Sequence, residues 1–177
     1  MSSVVISGDT SGSITLAAPA VAGTNTITLP ASTGTVMVSG NMPAFSAYAA
    51  SNQTLTSAVT TKVLYGTEEF DTNNNFSSST FTPTVAGYYQ INTGVQVGYT
   101  TLVRFNIQLW KNGSLYKRLV DFNSYTGNSI CGSSIVYLNG STDYIEIYSN
   151  MNGTGTLTVN GGSTDLSWFN ASLVRGA

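Results

Sequence analysis

Eight carboxylates, six cationic side chains and no histidine make up the charged inventory of this 177-residue chain. Without histidine the usual general base, the commonest metal ligand and every histidine-dependent triad are gone at once. The single local cluster of acids is Glu68, Glu69 and Asp71. Its hard oxygens suit calcium if they suit any metal, but incidental carboxylates on a solvated loop are the better reading. The other acids are scattered rather than paired across an aromatic-lined cleft, as glycoside hydrolysis requires. Cys131 is the only cysteine, which excludes an intrachain disulfide, and it is expected as a small buried apolar residue. No phosphate-binding loop, dinucleotide fingerprint or paired-cysteine zinc box occurs. The sequence therefore predicts no enzyme and no cofactor.

Binding chemistry is constrained just as firmly. Charged residues make up 8% of the chain, against roughly 25% in an ordinary soluble domain, so Ser, Thr, Asn, Gln and Gly must carry solubility. A net charge of -2, with Lys117-Arg118 as the densest basic spot, predicts neither nucleic-acid nor anionic-membrane binding. No apolar run is long enough for a membrane span, and the first residues lack the pattern of a signal peptide, so the expectation is synthesis in a cytoplasm without export. Ten tyrosines invite a carbohydrate-binding reading, though tyrosines in β-rich chains more often fill sheet edges and oligomer interfaces. The Asn-x-Ser/Thr triplets, as at Asn52 and Asn112, are what an Asn/Ser/Thr-rich chain produces by chance.

These residues must be positioned by strands. From Gly87 to Val97, Tyr89, Ile91, Val95 and Val97 fall on one face, while Tyr88, Gln90, Asn92 and Gln96 fall on the other. Period two means a half-buried strand. Arg104–Leu109 alternates in the same way, and Asn112-Gly113 supplies a tight hairpin turn. Ser133–Leu138, Tyr144–Tyr148, Leu157–Val159 and Leu166–Val174 read as further strands, Thr54–Lys62 as an extended connection, and Glu68–Asn75 as a polar loop. About ten strands without an amphipathic helix predict an all-β sandwich.

Residues 1–41 differ from the rest: they contain no aromatic residue and one charge, Asp9. Ser13-Ile14-Thr15-Leu16, Thr26-Ile27-Thr28-Leu29 and Thr35-Val36-Met37-Val38 read as short strands between turns. So little apolar surface cannot bury itself, which nominates Ile14, Leu16, Ile27, Leu29, Val36 and Val38 for docking on other copies or on another protein. The boundary is expected at Gly40–Pro43, with one domain over 42–177.

Tyr65, Asp71, Phe76, Phe81, Gly87, Tyr89 and Ile91 stand in the order of a known signature. The pattern resembles that of the complement C1q and tumour-necrosis-factor-like jelly roll, with Pro43–Ala47 as its first strand and Phe169–Leu173 as its last. It departs from the family in a shortened gap between Phe76 and Phe81, in Tyr65 and Ile91 for phenylalanine, and in Thr93 where an aromatic is usual. Separately, the wording from Gly12 to Thr35 resembles a segment of bacteriophage tail-fibre and other virion proteins that precedes a variable head.

The first resemblance implies a homotrimer, with Gln90, Asn92, Cys131 and Trp168 approaching its three-fold axis. Together the two imply a virion structural protein, assembled in the host cytoplasm and displayed on the particle surface. Its partners would be copies of itself and a major capsid or tail protein. A capsid decoration, or cement, protein is the first expectation; the alternative is a tail-fibre or spike head that binds a host-surface receptor or glycan.

Overall fold

The computed structural model describes residues 3–28, 31, 33–34, 36–123 and 126–177. The chain separates into two compact units, Met1–Gly34 and Thr35–Ala177.

The first unit holds an antiparallel hairpin of β1 (Ser3–Ser7) and β2 (Ser13–Ala17). Gly12 takes a positive φ of 78°, and the Gly8 amide donates to the Gly12 carbonyl at 3.0 Å, closing the turn. Of the expected N-terminal strands, only Ser13–Leu16 is a strand among the described residues. Residues 25–28 and 36–38 are irregular, while Leu29 and Thr35 lie outside the described residues. A strand exists only where a ladder exists, and β2 has one because Val4 and Ile6 pair with Leu16 and Ile14. At Val36–Val38 the Asn41 side chain competes with any ladder: its Oδ1 accepts from the Val38 amide at 2.7 Å.

The second unit is a sandwich of two antiparallel sheets. The seven-stranded sheet runs β4 (Gln53–Leu55), β14 (Leu157–Val159), β9 (Gly87–Gly98), β15 (Trp168–Gly176), β3 (Ala44–Tyr48), β6 (Thr67–Asp71), with β12 (Ser129–Leu138) on the other side of β9. The six-stranded sheet runs β11 (Ser114–Asn123), β10 (Thr101–Lys111), β13 (Ile145–Thr154), β8 (Thr80–Phe81), β7 (Phe76–Ser77), with β5 (Thr61–Lys62) also on β13. This is a jelly-roll β-sandwich: the alternation predicts the all-β sandwich, and the resemblance implies the jelly roll.

The signature aromatics are its centre. Phe45 stacks on Phe76 and Phe81 at 4.4 and 4.6 Å between centroids and meets Phe169 edge-on at 4.9 Å. Phe105, Ile107, Leu109, Ile145 and Ile147 close the layer from the opposite sheet, all fully buried. The Asn112-Gly113 turn forms as expected, with φ of 53° and 75°.

Two expectations are corrected. Glu68–Asp71 lies in edge strand β6 rather than opening a loop, because Ser46 and Phe45 of β3 pair with Phe70 and Asp71. Cys131 is exposed, not buried. On β12 the even-numbered Ile130, Val136 and Leu138 face the core, so Cys131 points outward by alternation.

Candidate self-association face

The outward side of the seven-stranded sheet is set by the register of three long strands. On β9 the core takes Tyr89, Ile91, Thr93, Val95 and Val97, leaving Tyr88, Gln90, Asn92, Gly94 and Gln96 outside. Pairing carries this face sideways: Asn92 is flanked by Ser133 and Asn170, Gln90 by Ile135 and Ser172, and Gly94 by Cys131 and Trp168. All four residues nominated from the sequence, Gln90, Asn92, Cys131 and Trp168, therefore share one face.

The middle of that face is a ladder of amides. Gln90 Nε2 donates to Asn92 Oδ1 at 3.0 Å, and Asn92 Nδ2 donates to Asn170 Oδ1 at 3.0 Å. Beside it the Trp168 indole lies over Gly94. A Cβ on Gly94 would come within 2.6 Å of Trp168 Nε1, so only glycine leaves room for the ring.

The position of Trp168 is fixed from below. Thr93 Oγ1 donates to the Trp168 carbonyl at 2.9 Å and takes its other bond from the Tyr65 hydroxyl at 2.9 Å. Burial holds Tyr65 protonated far above the ordinary tyrosine range, against a smaller opposing effect of the Thr93 bond.

Sequence reasoning missed the apolar flanks of the face. Ile135 is 53% exposed, and Tyr88 and Tyr137 pack ring against ring at 5.5 Å between centroids. At the far edge Phe70 is 52% exposed beside a shallow groove of about 260 Å³ bordered by Ala44, Ser46, Asn170 and Ser172. Period-two counting along β12 from Val136 would have found Ile135 and Tyr137. Phe70 carries no such signal, because the bulge between Ser46 and Ala47 sets its side.

The nominated docking residues fall in both units. Ile14 and Leu16 share one face of the hairpin with Val4 and Ile6, all four between 53% and 67% exposed. Ile27 lies in irregular chain, Leu29 is outside the described residues, and Val36 and Val38 belong to the second unit, where both are exposed. Two of the three acids of β6 are taken up by local structure: Glu69 accepts from the Ser46 hydroxyl at 2.7 Å and Asp71 from the Phe76 amide at 2.7 Å. Among the described residues no three His, Cys, Asp or Glu side chains converge as metal ligands would.

The outward side of the six-stranded sheet has a different character. Trp110 stacks on Tyr148 at 4.2 Å, its Nε1 donates to Gln108 Oε1, and Gln108 Nε2 donates to Asn106 Oδ1. Lys62 Nζ bridges Glu146 at 2.6 Å and Thr80 at 2.7 Å. Burial, then the Glu146 charge, raise the Tyr148 hydroxyl above its ordinary value.

No family model and no curated protein matches the sequence. The fold does have solved counterparts. Murine APRIL at pH 8.0 superposes with a TM-score of 0.58 at 10% identity, over 75% of this chain and 99% of that one. PRD1 vertex protein P5 gives 0.58 at 14% identity, over 75% and 97%. Eiger TNF from S. frugiperda gives 0.52 at 11% identity, over 77% and 93%. At these identities the likeness is one of fold: these structures share the jelly-roll β-sandwich architecture of this chain.

Proposed function

We propose that this chain is a homotrimeric structural protein of a bacteriophage virion, a capsid decoration protein held on the particle by its N-terminal segment with the jelly-roll head outward. The observation that carries the reading is the face built on β9, β12 and β15. It combines a satisfied amide ladder with exposed Ile135, Tyr137 and Phe70 at its margins, the mixture of polar centre and large side chains that an interface between like subunits uses. The exposed aliphatic residues of the N-terminal segment supply a second contact surface, and PRD1 vertex protein P5 has the same fold. The role is structural rather than catalytic: the chain has no histidine to serve as general base, and Glu69 and Asp71 of β6 are engaged by local structure.

A second reading, a fibre or spike head that binds a host-surface glycan, draws on the half-buried Trp110–Tyr148 stack, since aromatic ring faces suit sugars. Sedimentation of the full chain tests the trimer. Gel quantification of purified particles separates the roles: hundreds of copies per particle mean decoration, and a few tens mean a fibre. Particles that lack the protein, stay heat-stable and fail to adsorb would overturn decoration.

A further inference from the structure

The β1–β2 hairpin has the makings of a self-pairing element. Its register places Val4 against Leu16 and Ile6 against Ile14, so one face is wholly aliphatic, and all four side chains stand exposed. A lone two-stranded hairpin is marginal in water. This one also keeps two free edges, because β1 pairs only with β2 among the described strands.

Sheets that must stay single protect their edges with lysine, proline, bulges or inward charges. Neither Ser3–Ser7 nor Ser13–Ala17 contains a charge or a proline, and their pairing is unbroken by a bulge. Asp9, in the turn between them, is followed by no Asp, Glu, Lys or Arg until Lys62. Copies of the hairpin therefore meet no like-charge repulsion along their strands, and each offers the others the same aliphatic face and the same unpaired backbone.

We propose that the occupant of this face is the same hairpin from the other copies of the chain, so that the β1–β2 hairpins join into one small β-structure in the free protein, before any particle is met. The inference rests on the trimer reading above, since subunits joined through their heads hold the hairpins at an effective concentration of about millimolar. Attachment to the particle then falls to the exposed apolar residues that follow β2, among them Val21 and Ile27.

The test uses the full chain carrying Cys131→Ser and Thr15→Cys, spin-labelled at position 15 on the hairpin face opposite the aliphatic one. Sedimentation gives the mass, pulsed electron spin measurements the distances, and hydrogen exchange the protection of Ser3–Ala17. The expected result is a trimer with inter-label distances of about 10–20 Å, the spacing of paired or packed strands. The expected trimer also protects its hairpin, and Ile6→Asn with Ile14→Asn lowers that protection about tenfold or more while leaving the trimer mass unchanged. A trimer whose labels are broadly separated and whose hairpin exchanges freely overturns the proposal and leaves the trimer standing. A monomer overturns both.

Discussion

Trp168 and Gly94 are locked together across two strands: the indole occupies the space a Cβ on Gly94 would need, at 2.6 Å from its Nε1. Gly94→Ala therefore has to tilt the ring off the face. We expect the head to fold with a lower melting temperature and its self-association to weaken about tenfold or more, the equivalent of one lost contact of roughly 1.4 kcal/mol. Sedimentation over a dilution series measures this. An unchanged association constant would remove Trp168 from the interface.

Cys131 next to that ring is an exposed thiol in the single chain. If subunits meet on this face, the thiol is covered in the assembly, so a thiol reagent should label the native trimer slowly. Labelling should accelerate on dilution below the dissociation constant of the assembly, before unfolding. Fast stoichiometric labelling of an intact trimer would place the contact elsewhere.

Tyr65 and Tyr89 give the head an alkaline limit. Burial raises Tyr65 well above the ordinary value of 10.0 and pushes Tyr89 up to about 12. Below pH 10 both are protonated in the folded and the unfolded chain, and their contribution is complete. Between pH 10 and about 12 the unfolded chain releases protons that the folded one keeps, so stability falls as pH rises. Denaturant melts across this window should show the decline, at most about 1.4 kcal/mol per pH unit for each tyrosine. Tyr65→Phe should flatten it while losing about 1 kcal/mol near neutrality with the Thr93 bond.

At the acid end Asp143 is the group to watch. The Lys111 ammonium, then the Asn112 amide, hold its carboxyl below the usual range. A depressed folded value stabilises above the unfolded value and is lost as pH falls through the folded one. Asp143→Asn should shrink the loss of stability on acidification while costing little at low pH.

Ala58 sits at a φ of +62°, a conformation that costs a residue with a Cβ about 1–2 kcal/mol. Glycine there relieves the strain at an entropy cost of roughly 0.4–1 kcal/mol. Ala58→Gly should therefore raise the melting temperature by a few degrees. A fall of similar size would mean the turn draws on the methyl group.

The sandwich was legible where side chains alternate over several residues. β9, β10, β14 and β15 declare their faces, and the aromatics of the signature meet at Phe45. The two-residue strands β5, β7 and β8 have no period to read, and they exist because neighbouring strands offer them a ladder. The N-terminal repeats make the same point: Ile-Thr-Leu occurs at 14–16 and at 27–29, and the first copy pairs with Val4–Ile6 while Ile27 and Thr28 lie in irregular chain. Local wording is shared, and the partner that turns it into a strand is not local. Of the face, its membership in Gln90, Asn92, Cys131 and Trp168 was legible, while the apolar margins depended on cross-strand register and on a bulge.

The ladder from Gln90 through Asn92 to Asn170 is held by neutral dipoles rather than ions. Dissolved salt screens charges over about 10 Å at moderate concentration and leaves such amide contacts almost untouched. Subunits joined across this strip would stay joined in fresh water, in brine and inside a crowded cell alike, which suits an object that has to leave one of those media for another.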